Sequence, residues 1–247
     1  MSRILVLVAV LALWEGAVRV FHVPAIVVPP PSAVLVALWT GLASGEWTEH
    51  ILVTLWEILA GFALGSALGL VLGFAIALFP TAERLLYPYV VAFQTVPKVA
   101  IAPIMVIWFG YGLSSKIIIT ATIAFFPLLA NTITGLHSTS RDQVEMLQAY
   151  TASRAQIFRM ARLPGALPYI FTGLDIAIVL SVIGAIVGEF VGAQAGLGYL
   201  ILQKNFNFDM AGTFAILVIL SAIGTVLHAL VSFAHRRVVF WVDHDRR

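Results

Sequence analysis

Lys98, Asp175 and Glu189 are ionisable side chains that lie inside long apolar stretches of this sequence. A charge in apolar surroundings costs several kcal/mol unless it is paired or hydrated, so such residues are functional candidates by default. A cation in this setting can attract an anionic or polar solute, and a carboxylate can pair with the cation. These residues therefore predict a path through the membrane for a solute.

Lys98 lies between Pro97 and Pro103 in the segment QTVPKVAIAP. Each proline removes a backbone donor and loosens a helix locally, which predicts a cation near the middle of a weakened membrane helix. Three interpretations stay open at this stage. The lysine lines a solute path, pairs with a carboxylate such as Glu57 or Glu189, or extends to the membrane interface.

Other polar residues accompany these charges. Gln94 and Thr95 lie about one helical turn before the lysine, where they line the same path or form interhelical hydrogen bonds. Asp175 and Glu189 are fourteen residues apart, roughly four turns, so they share a helix face. We expect Glu189 near the outer end of its span, as a gate or a contact for an external protein, and Asp175 near the inner end beside an arginine. His228 is expected to be a buried histidine with its hydrogen bonds satisfied.

The segment ASRAQIFRMARLP holds three arginines in thirteen residues, although only 11% of the chain is charged. The stretch belongs to a polar loop of about residues 138–165 between two apolar segments. Its pattern predicts two short amphipathic helices, 141–150 and 154–162. Ile157 and Phe158 share one face of the second helix, and the arginines occupy the remainder.

Paired serine and glutamine residues mark the start of both helices. Ser140 is followed three residues later by Gln143, and Ser153 by Gln156, and each pair predicts a capping box. Pro164 should end the second helix, because the residue before a proline is pushed out of the helical conformation. From the residues alone, the two helices either dock in a cleft of another protein or lie on the membrane surface with their arginines on lipid phosphates.

The elements that hold these residues are predicted to be membrane helices. The chain is 61% hydrophobic, its mean hydropathy is +1.01 and it has no cysteine, which indicates an integral membrane protein without disulfides. Residues 1–20 are interpreted as a span rather than a signal peptide, because they carry Glu15 and Arg19 and no cleavage site follows. Six apolar segments can cross a bilayer: 4–20, 51–79, 88–109, 116–136, 168–190 and 212–234.

Basic residues predict the orientation. With the amino terminus in the cytoplasm, ten of the fourteen Lys and Arg residues fall on the inner side, which predicts that both termini are cytoplasmic. The loop at 138–165 is then cytoplasmic as well. We interpret residues 1–247 as a single all-α membrane domain.

A ladder of glycines lies in the second span, at Gly61, Gly65, Gly69 and Gly73. The i,i+4 spacing stacks them on one helix face, where they allow the backbone of another helix to approach closely. Tight helix packing is the expected role, and a direct role in a solute path is the alternative.

The loop at 138–165 resembles the cytoplasmic coupling loop of binding-protein-dependent ABC transporter permeases, and we call it the coupling loop. In that pattern Glu-Ala-Ala is followed after three residues by Gly, and after nine more by Ile, one residue and Leu-Pro. Glu145 stands at the glutamate, and Leu163 and Pro164 fall at the prescribed distance. The chain departs from the pattern at Met146, Leu147, Thr151 and Ala161.

The resemblance extends over about residues 28–235. The segments VPPPSAV, AGFALGSALGLVLG, TVPKVAIAPIMVIWFGYG and GLGYLI resemble the branch that imports nitrate, taurine, alkanesulfonates and related small solutes. This likeness implies six transmembrane helices, with a cytoplasmic coupling-helix pair between spans 4 and 5.

The resemblance also implies partners. A permease of this kind works by alternating access as a homodimer in the bacterial inner membrane, among lipids, with two ABC ATPase subunits inside, a solute-binding protein outside and no nucleic acid. No cofactor is expected in this chain, since it lacks a G-x-x-x-x-G-K-[ST] phosphate loop and the ATPase would bind ATP and Mg.

The resemblance assigns roles within the coupling loop as well. Ile157 and Phe158 would be the apolar anchor in a groove of the ATPase, while Leu163 and Pro164 would set the angle between the loop and the next span. The residues expected to take part in this coupling are Glu145, Ser153, Arg154, Ile157, Phe158, Arg159, Leu163 and Pro164.

A stand-alone secondary transporter is the main alternative, and a membrane enzyme that uses Glu189, Asp175 and His228 is a further one. Secondary transporters usually contain internal inverted repeats, and none is visible in this sequence. An enzyme needs convergent catalytic groups, and the sequence has no H-E-x-x-H motif or nucleophile elbow.

Overall fold

The computed structural model describes residues 2–241, apart from the side chains of residues 2, 3 and 80. No strand occurs within this part of the chain, and the predicted all-α fold is confirmed. A π-helical turn, Phe158–Arg162, joins two of the helices. The helices are α1 (Ser2–Val20), α2 (Pro31–Ala43), α3 (Thr48–Leu78), α4 (Pro80–Thr95), α5 (Lys98–Phe109), α6 (Leu113–His137), α7 (Arg141–Ala149), α8 (Arg154–Ile157), α9 (Leu163–Gly192), α10 (Leu197–Phe206) and α11 (Met210–Val238).

Four stretches of helix are long and apolar enough to cross a membrane: α3, α6, α11 and the run Arg154–Gly192 that contains α9. They cover the second, fourth, sixth and fifth predicted spans, and the bent pair of α4 and α5 adds one more if it counts as a single span. Within the described residues α1 is not among these candidates, so the total of six stays a prediction. The prediction of a cytoplasmic carboxyl terminus rests partly on Arg246 and Arg247, which lie outside the described residues.

The third predicted span, 88–109, is broken rather than continuous. Its two helices, α4 and α5, meet at 95°, and Val96 between them has an extended backbone with φ −65° and ψ 128°. Pro97 is the cause, because a residue before proline is pushed out of the helical region and the proline has no N–H for the helix. Lys98 is therefore the first residue of α5, not a residue in the middle of a continuous span.

The second helix of the coupling loop does not end at Pro164 as predicted. It continues through the π-helical turn into α9, where the N–H of Leu163 donates to the carbonyl of Phe158. The wider turn accommodates the proline, whose ring would press against the carbonyl four residues earlier in a regular α-helix. The coupling loop is thus continuous with a membrane helix.

Two compact units divide the chain. Unit 1 contains Met1–Trp56 and Glu189–Ile223, and unit 2 contains Glu57–Gly188 and Gly224–Arg247. A single permease domain over residues 1–247 stays a prediction.

In unit 1, Glu15 of α1 holds the start of α2. Its carboxylate accepts hydrogen bonds from the N–H (3.0 Å) and the hydroxyl (2.8 Å) of Ser32. The same carboxylate pairs with Arg19, four residues later in α1, at 2.6 Å. Glu15 therefore satisfies one of the backbone donors that the first turn of a helix leaves without an intrahelical partner.

In unit 2, small residues bring α3 and α9 close to α6. A methyl group at Gly65 of α3 would lie 2.5 Å from the carbonyl oxygen of Ala121, which leaves no room for a side chain. On α9, a methyl group at Gly184 would lie 2.8 Å from the Cα of Thr120. The face of α3 against α6 is lined by Gly61, Gly65, Gly69 and Gly73.

Candidate functional site

Serine side chains cap both short helices of the coupling loop. The hydroxyl of Ser140 accepts a hydrogen bond from the N–H of Gln143 (3.2 Å) at the start of α7. At the start of α8, Ser153 forms a full capping box: its hydroxyl accepts from the N–H of Gln156 (3.3 Å), and its N–H donates to the side-chain oxygen of Gln156 (2.7 Å). These caps satisfy donors at the helix ends, so the loop has a defined shape of its own.

Thr151 makes the turn between α7 and α8. Its φ is +60°, in the left-handed region that favours glycine. The N–H of Ala152 donates to the carbonyl of Leu147 (3.0 Å), and the N–H of Thr151 donates to that of Gln148 (2.9 Å), which is the Schellman arrangement of a helix end. Threonine therefore makes the turn at the position where the family pattern has glycine.

Replacing Thr151 with glycine is expected to raise the free energy of unfolding by about 0.5–1 kcal/mol, because a left-handed backbone costs an L-residue roughly 1–2 kcal/mol and glycine's greater unfolded-state entropy offsets part of the gain. Thermal unfolding of the purified protein in detergent measures the change. Thr40→Gly, at an exposed position of α2, is the control and should lower stability slightly. A Thr151→Gly variant less stable than the parent would contradict the strained turn.

The apolar face of the second coupling helix is turned toward the chain itself. Ile157 is only 7% exposed. Phe158 packs edge-on against Phe74 of α3, with 6.2 Å between ring centroids, next to a buried cluster that includes Leu128 and Ala166. This differs from the expectation that Ile157 and Phe158 anchor the loop in an ATPase. The reason is that the helix runs on into α9, so its apolar stripe joins the same core as α9.

The opposite side of the loop presents aromatic, thioether and charged side chains to solvent. Tyr150 is 79% exposed, and Met146 and Met160 are exposed as well. Arg154 and Arg159 also lie on the surface. We define the outer face of the coupling loop as Glu145, Met146, Tyr150, Arg154, Arg159 and Met160.

Glu145 is accessible on this outer face. Its carboxylate lies 3.9 Å from the guanidinium of Arg141, but both side chains are largely in water, so the pair contributes little. A groove of about 440 Å³ beside it is lined by Glu145, Arg141 and Arg162, among others. Leu163 and Pro164 are half-buried where the loop joins α9, and their role in setting the angle of the loop stays a prediction.

Lys98 contacts a carbonyl and an aromatic ring. Its ammonium donates to the backbone carbonyl of Gln94 at 3.1 Å and lies 4.7 Å from the ring centroid of Phe126, a cation–π distance. Thr95, by contrast, donates its hydroxyl to Ala92 of its own helix at 2.7 Å. The break before α5 therefore leaves the lysine beside α6, held by two neutral groups.

A cavity of about 440 Å³ in unit 2 brings Lys98 together with Gln94 and with Asn131 of α6. Asn131 donates one side-chain N–H to the carbonyl of Pro127 at 2.8 Å. Sequence reasoning missed this asparagine. The signal that points to it is an amide inside an apolar segment, one turn after a proline.

Glu189 is 1% exposed and binds groups of its own unit. One carboxylate oxygen accepts the hydroxyl proton of Thr54 at 2.6 Å, and the other accepts a short hydrogen bond from the N–H of Gly198. The Thr54 hydroxyl in turn accepts the N–H of Leu197 at 2.7 Å. The acid and the threonine thus hold the first turn of α10.

His50 completes this clamp at the preceding residue. Its Nδ1 accepts the N–H of Gly196 at 3.0 Å, which requires that this nitrogen carry no proton. Gly196 has a φ of +115° and leaves no room for a side chain beside the Glu189 carboxylate. Three consecutive backbone N–H groups are therefore bound by His50, Thr54 and Glu189, a set that we call the α10 clamp. We interpret Glu189 as a positioning residue rather than a part of the solute path.

Asp175 lies between two histidines instead of beside the predicted arginine. Its oxygens are 3.6 Å from Nδ1 of His228 and 3.5 Å from Nδ1 of His235, and Ser232 donates to it at 3.2 Å. The side chain of His228 is 49% exposed, so the prediction of a buried histidine is wrong. Helical spacing explains the set, because positions 228, 232 and 235 share one face of α11.

Comparison with known proteins identifies close relatives. A family model described as a binding-protein-dependent transport system inner membrane component matches residues 65–240. The chain is 37% identical over 232 residues to the formylaminopyrimidine transport permease protein of Halalkalibacterium halodurans, over 94% of this chain and 92% of that protein. It is 35% identical over 216 residues to the putative aliphatic sulfonates transport permease protein of Escherichia coli K12, over 87% and 82% of the two chains.

The fold also resembles a solved structure. An inward-facing form of the MetNI methionine ABC transporter superposes with a TM-score of 0.64 over 80% of this chain and 96% of that chain. The two are 23% identical in sequence, so this likeness concerns the fold alone.

Proposed function

Because the chain belongs to the family of binding-protein-dependent transport system inner membrane components, we propose that two copies of it form the pore of an ABC importer in the bacterial inner membrane. The chain is a multi-pass permease subunit that transports small solutes, not an enzyme. Two ATPase subunits bind ATP and Mg on the inner side, and an external solute-binding protein delivers the solute. Transport proceeds by alternating access.

The observation that carries this proposal is the shape of the coupling loop. Its two helices are capped by Ser140 and Ser153 and joined by a tight turn at Thr151, so they form a defined surface without help from lipid. The outer face projects Tyr150 beyond this frame, beside exposed charges of both signs. Such a face suits a groove in another protein, where an aromatic anchor fills a pocket and charges fix the orientation.

Because the coupling loop is continuous with α9, a movement of the loop by the ATPase can be passed to a membrane helix. Residues 154–162 run into α9 without a break, so an ATPase that moves the loop also moves the helix. Within unit 2, the start of α9 packs tightly on α6: a methyl group at Gly135 would lie 2.9 Å from the carbonyl oxygen of Ala166. Tight packing transmits displacement because closely packed groups cannot absorb it.

The solute is a small polar or anionic molecule in this proposal. The relatives include one named for formylaminopyrimidine and one named for aliphatic sulfonates. Lys98 and Gln94 are the proposed path residues, with the cavity beside them as the place of contact.

Replacing Tyr150 with aspartate tests the proposal. We expect at least about a tenfold loss of ATPase retained on the tagged permease in detergent, because a buried aromatic anchor is often a binding hot spot of 2 kcal/mol or more. The unfolding temperature should stay unchanged, since Tyr150 is solvent-exposed in the chain alone. Tyr111→Asp is the matched control, because Tyr111 is also exposed but lies in the α5–α6 turn.

Full retention of the ATPase by Tyr150→Asp would contradict this docking surface. Solute uptake by the reconstituted chain without any ATPase, driven by an ion gradient, would contradict the importer itself and support the secondary transporter.

A further inference from the structure

We propose that the cavity beside Lys98, which we call the Lys98 cavity, binds a compact, flat N-heterocycle that carries both hydrogen-bond donors and acceptors. The inference rests on the proposed function and names the class of solute. It is argued from the donors, the acceptors and the apolar wall of one cavity in unit 2. The volume of about 440 Å³ falls in the range of small-molecule sites.

The donors of the cavity are held in place. Lys98 uses one of its three N–H bonds on Gln94, and the face of Phe126 holds the ammonium from another side. Asn131 uses one side-chain N–H on Pro127 and keeps its other N–H and its oxygen for a ligand. A lysine cation and an amide therefore meet the solute from α5 and α6.

The acceptors of the cavity are two backbone carbonyls that lack a helical donor because a proline lies four residues later in the same helix. Pro103 lies inside α5 and Pro127 inside α6, and neither has the N–H that a helix carbonyl four residues earlier would accept. Those carbonyls belong to Val99 and Ile123, and both residues line the Lys98 cavity. Backbone carbonyls deprived of a helical donor at membrane depth are found where they face protein or a polar cavity, and transporters use them to bind solutes.

One wall of the cavity is apolar. Ile176, Leu180 and Ile183 of α9 line it, and their spacing of four and three residues places them on one helix face. A polar edge opposite an apolar wall matches a flat ring whose face is apolar and whose rim carries polar groups.

The mixture of donors and acceptors discriminates between solute classes. A heterocycle with N–H and C=O groups along its rim can satisfy both the ammonium and the two carbonyls. An alkanesulfonate has acceptors alone. It would pair with Lys98, but its negatively charged oxygens could not donate a hydrogen bond to the carbonyl oxygens of Val99 and Ile123. Sites of this kind reject ligands that leave their polar groups unpaired.

Cytosine and ethanesulfonate are suitable probes, because the first has donors and acceptors on a flat ring and the second only acceptors. We expect saturable binding of radiolabelled cytosine to the complex of permease and ATPase in lipid nanodiscs, measured without the solute-binding protein. Lys98→Met and Asn131→Leu should each weaken it at least about tenfold. An excess of ethanesulfonate should not displace it.

Lys204→Met is the matched control, since it removes a cation that pairs with Asp209 in unit 1. Its cytosine binding should equal that of the parent. ATPase retention and the unfolding temperature show that each variant is folded and assembled.

Three results would overturn the inference: no saturable cytosine binding at millimolar concentration, unchanged binding in both cavity variants, or displacement by ethanesulfonate at equal concentration. The proposed function is tested separately, by whether the permease forms a complex with the ATPase. If the complex with the ATPase forms and cytosine does not bind, only the solute class is wrong. If the complex does not form, the importer assignment fails whatever the binding result.

Discussion

Replacing Glu189 with alanine is expected to lower the free energy of unfolding by about 2–5 kcal/mol. The substitution removes the acceptor for two donors, the hydroxyl of Thr54 and the N–H of Gly198, and each buried donor without a partner costs about 1–3 kcal/mol. It also removes the buried carboxyl group from its other contacts and leaves a cavity. The unfolding of the purified chain in detergent is the measurement.

Two further variants separate the parts of the α10 clamp. Glu189→Gln keeps the shape of the side chain but places an amide NH₂ against either the Thr54 hydroxyl or the Gly198 N–H. Its loss of unfolding free energy should therefore be smaller than that of Glu189→Ala. Thr54→Val keeps the volume and removes the hydroxyl that links Glu189 to Leu197, and we expect a loss of about 1–3 kcal/mol.

Glu46→Ala is the control, because Glu46 lies exposed in the loop before α3. Surface substitutions of this kind usually change stability by less than about 0.5 kcal/mol. If Glu189→Ala proved as stable as Glu46→Ala, the clamp would not hold the turn, and Glu189 would return to consideration as a solute contact.

The clamp shows which part of the site lies beyond sequence reasoning. Thr54 and Glu189 are 135 residues apart, and His50 and Gly196 are 146 apart. The apolar pattern predicts the helices that carry these residues, but it does not state which polar side chain meets which backbone group. Glu189 could be selected as important because a charge in an apolar segment is costly. Its role as a clamp emerges only from the packed structure.

The coupling loop shows the converse, because its determinants are local. Serine followed by glutamine three residues later predicts a helix start from four adjacent residues, and both starts occur where predicted. A break between the two helices is predicted at Thr151, but its left-handed backbone is not, since a β-branched residue rarely takes that conformation. The backbone bonds on either side of it impose that conformation.

Prolines caused the two main errors in the helices, in opposite directions. Pro97 breaks a segment that its apolar composition predicts to be continuous, and Pro164 fails to break a helix that its position predicts to end. The difference lies in the surroundings. A π-helical turn makes room for Pro164, whereas Val96 before Pro97 takes up an extended backbone. The same break places Lys98 at the start of α5. The missed break therefore also misplaced Lys98, which was expected near the middle of a continuous span.

The glycine face of α3 leads to the second large prediction. Replacing Gly65 with alanine is expected to lower the free energy of unfolding by about 3 kcal/mol, at the upper end of overpacking effects. The added methyl group would lie 2.5 Å from the carbonyl oxygen of Ala121 and 3.1 Å from its Cα. Because both atoms belong to backbone, no side-chain rotation relieves the contact, and α3 must move away from α6.

Gly224→Ala is the matched control and should act with the opposite sign. Gly224 lies within α11, and a methyl group there would meet only the side chain of Val182, at an ordinary distance of 3.8 Å. Alanine is favoured over glycine inside a helix by about 1 kcal/mol, so this variant should be more stable than the parent. Equal effects of the two substitutions would mean that helix propensity, not close approach to α6, explains Gly65. Opposite signs would show that the ladder sets the distance between the two helices, on which the shape of unit 2 around Lys98 depends.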